Sequence, residues 1–248
     1  MPSSIYPFVN TVQILDGLKR YPVFDLATFE GLTGLKHGSA RLRLFRMNAH
    51  GYVYRLHRDK YTVHRDPLMV ASRIAWPSYM SLWYALNKHG LSEQIPVVIE
   101  VITTRQVFRK EITFEGMRIS FTKIDPRYFF GFEKIWIDGK DIFMALPEKA
   151  IVDAVLFRRI SVSEIFSMLQ NNIGRIDVER LVKFVHRCEN GALAKRIGHL
   201  LDSLGLDFYK ELKDLINPDK VPLDYFLPAE GQVDTKWRVI TNITKEVI

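Results

Sequence analysis

The pattern of apolar and polar positions in the first 65 residues predicts three helices and a β-hairpin. Apolar residues recur at helical spacing in three runs, and capping residues or a glycine-bearing turn separate these runs. Two β-rich runs then flank a short charged turn, which is typical of a hairpin. The expected elements are a helix between a cap at Asn10 or Thr11 and Pro22, helices at Leu26–Gly31 and Lys36–Ala49, and strands at 52–57 and 61–64.

Beyond residue 66 the pattern predicts two short helices, then a series of strands, and then a mainly helical end. Asp66 and Pro67 are expected to begin a helix that ends near Ile74, and a second helix is expected at Tyr79–His89. The β-branched run Val97–Thr103 indicates a buried strand. Further strands are expected at Glu111–Phe114, Met117–Ile124, Lys134–Ile137, Ile142–Ala145 and Trp237–Thr241, and further helices at Glu148–Arg159, 161–172, Val178–Cys188, Leu193–Leu204 and Phe208–Leu215.

This order of elements predicts a mixed α/β (α+β) protein of two domains. Three helices followed by a hairpin is the order of a winged helix-turn-helix, so residues 1–66 form the first predicted domain. Residues 67–248 form the second, with a mixed sheet in 67–160 and a mainly helical half in 161–248.

The third predicted helix carries one apolar and one polar stripe at 100° per residue. The apolar stripe consists of Leu42, Phe45 and Ala49. The polar stripe consists of Ser39, Arg43, Arg46 and His50. We expect the apolar stripe to pack on the first two helices and the polar stripe to face outward, while Leu44 fits neither stripe.

The positive charge of the chain is concentrated in this first segment. Residues 1–65 hold ten Lys and Arg against four Asp and Glu, whereas the other 183 residues carry nearly equal numbers of both. A local positive field concentrates phosphate near one face, so a polyanionic partner is indicated. A solvated basic face without any partner is the alternative interpretation of the same charge.

The third predicted helix and the excess of positive charge in residues 1–65 together predict that the first domain binds double-stranded DNA. The third helix would enter the major groove, and the hairpin tip would contact the phosphate backbone or the minor groove. The candidate DNA-contacting residues are Lys36, Ser39, Arg41, Arg43, Arg46, Arg55, Arg58 and Lys60. A winged helix that serves only protein contacts remains open as a second hypothesis.

Other chemistry-bearing residues favour neither a metal nor a cofactor. His37, His50, His57 and His64 have no pair at the four-residue interval of a helical zinc site and no nearby carboxylate set, so we expect surface histidines. The single cysteine, Cys188, is expected to be a buried thiol. With no secretory signal and no long apolar window, the expectation is a reduced, soluble, cytoplasmic protein.

Four ordered motifs resemble the AbiEi antitoxin family. The segment Pro77–Pro96 (PSYMSLWYALNKHGLSEQIP) resembles the start of the AbiEi antitoxin domain, and three shorter motifs continue the pattern in order. These motifs are Thr103-Thr104-Arg105, the pair Phe130-Gly131, and Ala145–Asp153 (ALPEKAIVD). With the winged helix, the resemblance covers residues 10 to 160, while Pro228–Ile248 matches only loosely.

The resemblance implies a repressor and antitoxin of a type IV toxin–antitoxin system. Such a protein would bind inverted repeats in its own promoter, with a homodimer on the DNA as one option. It would also counteract a nucleotidyltransferase-like toxin, and direct contact with that toxin is not implied.

A metal-dependent nuclease is the enzymatic alternative, because a DNA-binding module lies beside an α/β domain. The candidate residues are Asp138, Asp141, Glu148, Lys149 and Asp153. Glu148 and Lys149 are adjacent on the predicted helix and point about 100° apart, which opposes convergence on one metal ion. Helix capping and surface solvation explain these charges more simply, and no phosphate loop or nucleophile elbow occurs.

Overall fold

The computed structural model describes residues 10–137 and 139–243. Two compact units divide the chain: Met1–Ser78 with Val97–Lys123 form the first, and Tyr79–Pro96 with Ile124–Ile248 form the second. The domain boundary predicted after residue 66 lies inside the first unit and stays a prediction. The predicted mixed α/β class is confirmed, because the described residues contain both helices and sheets with parallel and antiparallel strands.

Helices and strands occur mainly in runs of one type along the chain. The helices are α1 (Thr11–Leu18), α2 (Leu26–Thr33), α3 (His37–Ala49), α4 (Pro67–Ile74), α5 (Leu82–Lys88), α6 (Pro147–Leu156), α7 (Val162–Asn172), α8 (Val178–Arg187), α9 (Gly191–Ser203) and α10 (Tyr209–Leu212). The strands are β1 (Tyr54–His57), β2 (Lys60–Thr62), β3 (Ser78–Met80), β4 (Val98–Thr103), β5 (Glu111–Phe114), β6 (Met117–Lys123), β7 (Phe132–Ile137), β8 (Lys140–Ala145), β9 (Val221–Pro222), β10 (Gln232–Asp234) and β11 (Val239–Thr241).

Capping side chains begin the helices where the sequence predicts them. Asn10 caps α1 in a capping box with Gln13, and the Asp25 carboxylate accepts a hydrogen bond from the Thr28 backbone N–H. Asp66 caps α4, whose first residue is a proline. The second helix extends beyond its predicted end to Thr33, because Gly34 adopts the left-handed conformation that closes it.

The three N-terminal helices and the hairpin enclose one apolar core. Its buried members are Ile14, Leu18, Phe24, Leu26, Phe29, Ala40, Leu44, Met47 and Val53. The hairpin is attached to the segment before α2, since Phe24 and Tyr61 exchange backbone hydrogen bonds of 2.9 and 2.8 Å. The Thr62 hydroxyl donates to the Pro22 carbonyl at 2.7 Å. These contacts hold α3 and the hairpin in one framework.

Three strands of a mixed sheet complete the first unit. β6 lies between β4, which is parallel to it, and β5, which is antiparallel to it. The β5–β6 turn, Glu115-Gly116, has two positive φ angles, as a tight hairpin of this hand requires. Helix α4 packs on β4 and β6, and the Arg65 guanidinium donates two hydrogen bonds, of 3.2 and 2.9 Å, to the Glu115 carboxylate.

The second unit is built around α6, which packs against α5, α7, α8 and α9. The β7–β8 hairpin is antiparallel, and Met80 of β3 pairs in parallel with Met144 of β8. Residues 79–81 were predicted as helix, and this is wrong. The buried Tyr79 ring stacks on Phe132 at 4.6 Å, and the helix begins only after Ser81. Pairing with the sheet therefore overrides the local helical pattern.

The C-terminal segment forms a small sheet in the order β10-β11-β9. The sequence predicted only its last strand; β9 and β10 were missed because they have two and three residues and β9 contains Pro222. The buried Trp237 ring packs on α9 at Gly198, where a Cβ atom would overlap it. No helix in the described part of the chain is both long and apolar enough to cross a bilayer.

Candidate nucleic-acid interface

Helix α3 is rotated relative to the sequence prediction. Leu44 is only 1% exposed and packs in the core with Ala40 and Met47, whereas Leu42 and Phe45 are 50% and 70% exposed. The predicted inward stripe of Leu42, Phe45 and Ala49 is therefore wrong. The sequence prediction left Leu44 outside both stripes of α3, whereas the core formed with α1 and α2 includes Leu44 together with Ala40 and Met47.

The rotation changes which residues flank the outer face of α3. Ala40, Leu44 and Met47 point inward, so Leu42, Phe45 and the exposed Ala49 lie opposite them. At 100° per residue, Arg41 flanks this apolar strip on one side, while Arg46 and Ser39 flank it on the other, all three exposed. The outer face is an apolar strip with a guanidinium on each side.

Five of the candidate cations are exposed and have no ion-pair partner in the part of the chain that the structure describes. These are Lys36, Arg41, Arg46, Arg55 and Arg58. Three of them lie on or directly before α3, and two belong to the β1–β2 hairpin. Because no carboxylate neutralises them, their positive field extends into solvent.

Arg43 and Lys60 are engaged inside the protein. The half-buried Arg43 donates from Nη2 to the Thr11 hydroxyl at 2.8 Å, which ties α3 to the start of α1. Lys60 Nζ lies 3.3 Å from Asp25 Oδ2. The pKa of Asp25 is lowered, first by the Thr28 backbone hydrogen bond and then by the Thr28 hydroxyl and Lys60. Lys60 thus supports the cap of α2 rather than standing free at the hairpin tip.

The hairpin tip is held by its neighbours. Its register pairs Tyr54 with Thr62 and Arg55 with Tyr61, and an irregularity follows Arg55. Arg55 Nε donates to the Arg58 carbonyl at 3.3 Å. The Arg58 guanidinium lies 5.0 Å from the centre of the Phe108 ring, in the loop between β4 and β5. The charged tip is therefore preorganised against a second loop of the same unit.

The histidines of this unit take different environments. His37 Nδ1 lies 2.8 Å from Glu30 Oε1, and His64 Nε2 lies 3.0 Å from the Lys19 carbonyl oxygen. His50 is exposed, whereas the Nδ1 atom of His57 is buried and has no hydrogen-bond partner among the described residues. Of the four histidines predicted at the surface, His37 and His50 are exposed, whereas His57 and His64 are half-buried. Within the described ranges, no three His, Cys, Asp or Glu side chains are grouped as metal ligands.

The candidate nuclease residues do not form an open acidic site. Glu148, Lys149 and Asp153 are fully buried, so the predicted surface solvation of these charges is wrong. Glu148 accepts from Arg180 Nε at 2.9 Å, while Lys149 forms an ion pair with Asp153. Asp141 forms an ion pair with Lys134, and Asp138 lies outside the described residues.

Two hydroxyl groups complete the buried network around Asp153. Tyr79 Oη and Ser81 Oγ donate to Asp153 Oδ2 at 3.1 and 2.8 Å. Burial raises the pKa of Asp153, and the hydrogen bonds and the Lys149 ammonium oppose that rise. The network joins β3 and α6 inside the second unit, where a scissile phosphate has no access. As predicted, Cys188 is buried, and burial raises its pKa to about 11.

Sequence reasoning missed the loop that follows β4. Arg105 and Arg109 are exposed there, and with His57 and Lys60 they line one cavity. The run Arg-Gln-Val-Phe-Arg-Lys at 105–110 carried a signal, because it places three cations within six residues.

Comparison of the chain with protein-family models and with curated proteins finds no match.

Proposed function

We propose that the first unit binds double-stranded DNA through the outer face of α3 and the β1–β2 hairpin. The observation that carries the proposal is the set of five exposed, unpaired cations on these two elements, Lys36, Arg41, Arg46, Arg55 and Arg58. Cations at such positions release counterions from the phosphate backbone and bind it without sequence preference. The α3 face between Arg41 and Arg46 supplies the groove contacts, and Leu42 and Phe45 suit thymine methyl groups.

The wider role that we propose is that of a promoter-binding repressor and antitoxin of a type IV system. The AbiEi resemblance supports it, together with the order of helices and hairpin. On this proposal the protein acts in the cytoplasm, binds inverted repeats in its own promoter as a homodimer, and counteracts a nucleotidyltransferase-like toxin. It needs no catalytic group or cofactor of its own.

The test compares two double variants of equal charge. Arg41→Ala/Arg46→Ala removes two cations of the proposed face, and Lys210→Ala/Lys213→Ala removes two exposed cations of the second unit. Fluorescence anisotropy with the protein's own promoter duplex and a scrambled duplex gives affinity at several salt concentrations. We expect the first variant to lower the slope of log affinity against log salt by up to about two units, and the control to leave it unchanged. Equal slopes for both variants would refute the assignment of this face.

A second candidate function is a protein-binding module, which the exposed Leu42 and Phe45 favour. The variant Leu42→Ser/Phe45→Ser distinguishes the two. If the face binds DNA, this variant lowers affinity for the promoter more than for scrambled duplex, because apolar groove contacts depend on sequence. If the face binds only protein, neither this variant nor Arg41→Ala/Arg46→Ala changes duplex affinity.

A further inference from the structure

A cavity of about 320 Å³ lies beside the hairpin, wholly within the first unit. Three segments line it: the β1–β2 hairpin, the chain after α4, and the loop after β4, with Phe121 of β6 at its base. Its volume is at the lower end of the range of small-molecule sites, about 300–1,000 Å³. A ligand the size of one nucleotide fits this volume, whereas a larger cofactor would extend beyond it.

The charge of this cavity has one sign. His57, Lys60, Arg105 and Arg109 line it, and none of the described lining residues is Asp or Glu. Lys60 is partly neutralised by Asp25, but neither Arg105 nor Arg109 has an ion-pair partner in the described part of the chain. Two unpaired guanidinium groups at one opening suit a phosphate, which arginine binds through paired hydrogen bonds.

One residue that lines the same cavity, His57, carries a buried polar atom without a hydrogen-bond partner among the described residues. His57 Nδ1 is shielded from solvent, and no described residue provides a hydrogen bond to it. Burial lowers the pKa of His57, and the charges of Lys60 and Arg109 lower it further. The lowered pKa favours the neutral form of the ring. Buried polar atoms in proteins usually have a hydrogen-bond partner, so His57 is incompletely satisfied among the described residues.

Aromatic and aliphatic side chains, together with Gln106, form the remainder of the lining. Trp76 and Phe108 lie at the cavity and are both substantially exposed, whereas Ile74 and Phe121 are buried beneath it. Exposed aromatic rings beside cations are typical of sites where a nucleobase stacks and its phosphate is bound by arginine. An inorganic anion alone would leave the aromatic part of the cavity unused.

We propose that this cavity binds a nucleoside phosphate, with its phosphate on Arg105 and Arg109 and its base against Trp76 and Phe108. The nucleotide comes either free from solution or as one residue of a single strand. The ligand contacts His57 and Lys60, so it binds directly to the hairpin. This site is separate from the outer face of α3 that the proposed function assigns to duplex DNA.

Calorimetric titration of the full chain tests the proposal without any duplex present. The titrants are the four ribonucleoside 5′-monophosphates, adenosine, inorganic phosphate and a five-residue single-stranded oligonucleotide, at one ionic strength. We expect at least one mononucleotide or the oligonucleotide to bind at least tenfold more tightly than phosphate and adenosine. Tighter binding of the mononucleotide identifies a free ligand, and tighter binding of the oligonucleotide identifies a strand as its source.

Charge-matched variants locate the binding. Arg105→Ala and Arg109→Ala should each weaken it at least fivefold, while Arg118→Ala, which removes an exposed cation of β6 outside the cavity, should not. All three residues are exposed, so unchanged melting temperatures are expected and serve as the folding control. Binding no tighter than that of phosphate, or equal loss in all three variants, would overturn the proposal. Neither outcome changes the duplex measurements that test the proposed function.

Discussion

The orientation of α3 can be tested by truncating two leucines that lie two residues apart. Leu44→Ala removes a side chain that is 1% exposed, and Leu42→Ala removes one that is 50% exposed. The chemical change and the change in helix propensity are the same at both positions, so those effects cancel. Only the surroundings differ. The pair therefore measures which stripe of α3 packs in the core.

The expected magnitude follows from burial. Truncating Leu44 removes three carbon atoms from the core, about 2.4 kcal/mol at about 0.8 kcal/mol per buried methylene. The cavity left in this core raises the total cost to about 3–4 kcal/mol. Truncating Leu42 removes a side chain that is already half in water, and such a change costs about 0.5 kcal/mol or less.

Guanidinium denaturation followed by circular dichroism measures the free energy of unfolding of each variant. Amide hydrogen exchange of peptides from α1 and α3 then shows whether the loss lies in the N-terminal core, since the chain has two compact units. A costly Leu42→Ala with a mild Leu44→Ala would refute the observed orientation and restore the stripe that the sequence predicted. Equal losses would show that α3 is buried on both sides.

Three further predictions concern groups that the fold buries. Asp153→Ala leaves the Lys149 ammonium without its carboxylate, so the free energy of unfolding measured with denaturant should fall by about 3–5 kcal/mol. The double variant Lys149→Met/Asp153→Leu should recover much of this loss. Cys188, with its pKa raised to about 11, should react with a disulfide reagent at pH 8 only as fast as the protein unfolds; rapid modification of the folded chain would contradict this. The lowered pKa of His57 means that the folded state resists protonation, so the free energy of unfolding should fall as pH drops below 6.5, and less so in His57→Gln.

Local chemistry along the chain predicts most element boundaries. Asp66 followed by Pro67 begins α4 at the expected residue, and the Ser161–Glu164 capping box begins α7 as predicted. The β5–β6 hairpin turns at Glu115-Gly116, where the glycine takes its positive φ at no steric cost. Each of these features depends on residues within four positions of one another, so the sequence alone contains the necessary information.

Candidate site residues were predicted less completely, because exposure depends on distant partners. The basic residues of α3 can be counted in the sequence. The hydrogen bond from Arg43 to Thr11, however, joins residues 32 positions apart, and the one from Lys60 to Asp25 joins residues 35 positions apart. Neither pair has any local signature. The cavity beside His57 depends in the same way on the loop at 105–109, which lies about 50 positions later in the chain.

The amino-acid sequence is enough to show that α3 is amphipathic and basic, whereas its packing in the fold selects the side that faces water. The sequence predicted Leu42 and Phe45 inside and left Leu44 unassigned, whereas the packing of Leu44 in the N-terminal core leaves Phe45 exposed. The sequence likewise placed Lys149 and Asp153 four positions apart on one helix, but the elements packed around α6 bury them, and the hydroxyls of Tyr79 and Ser81 come from 74 and 72 positions earlier in the chain. Helical periodicity is a local property, whereas burial is decided by surfaces that meet only after the chain folds.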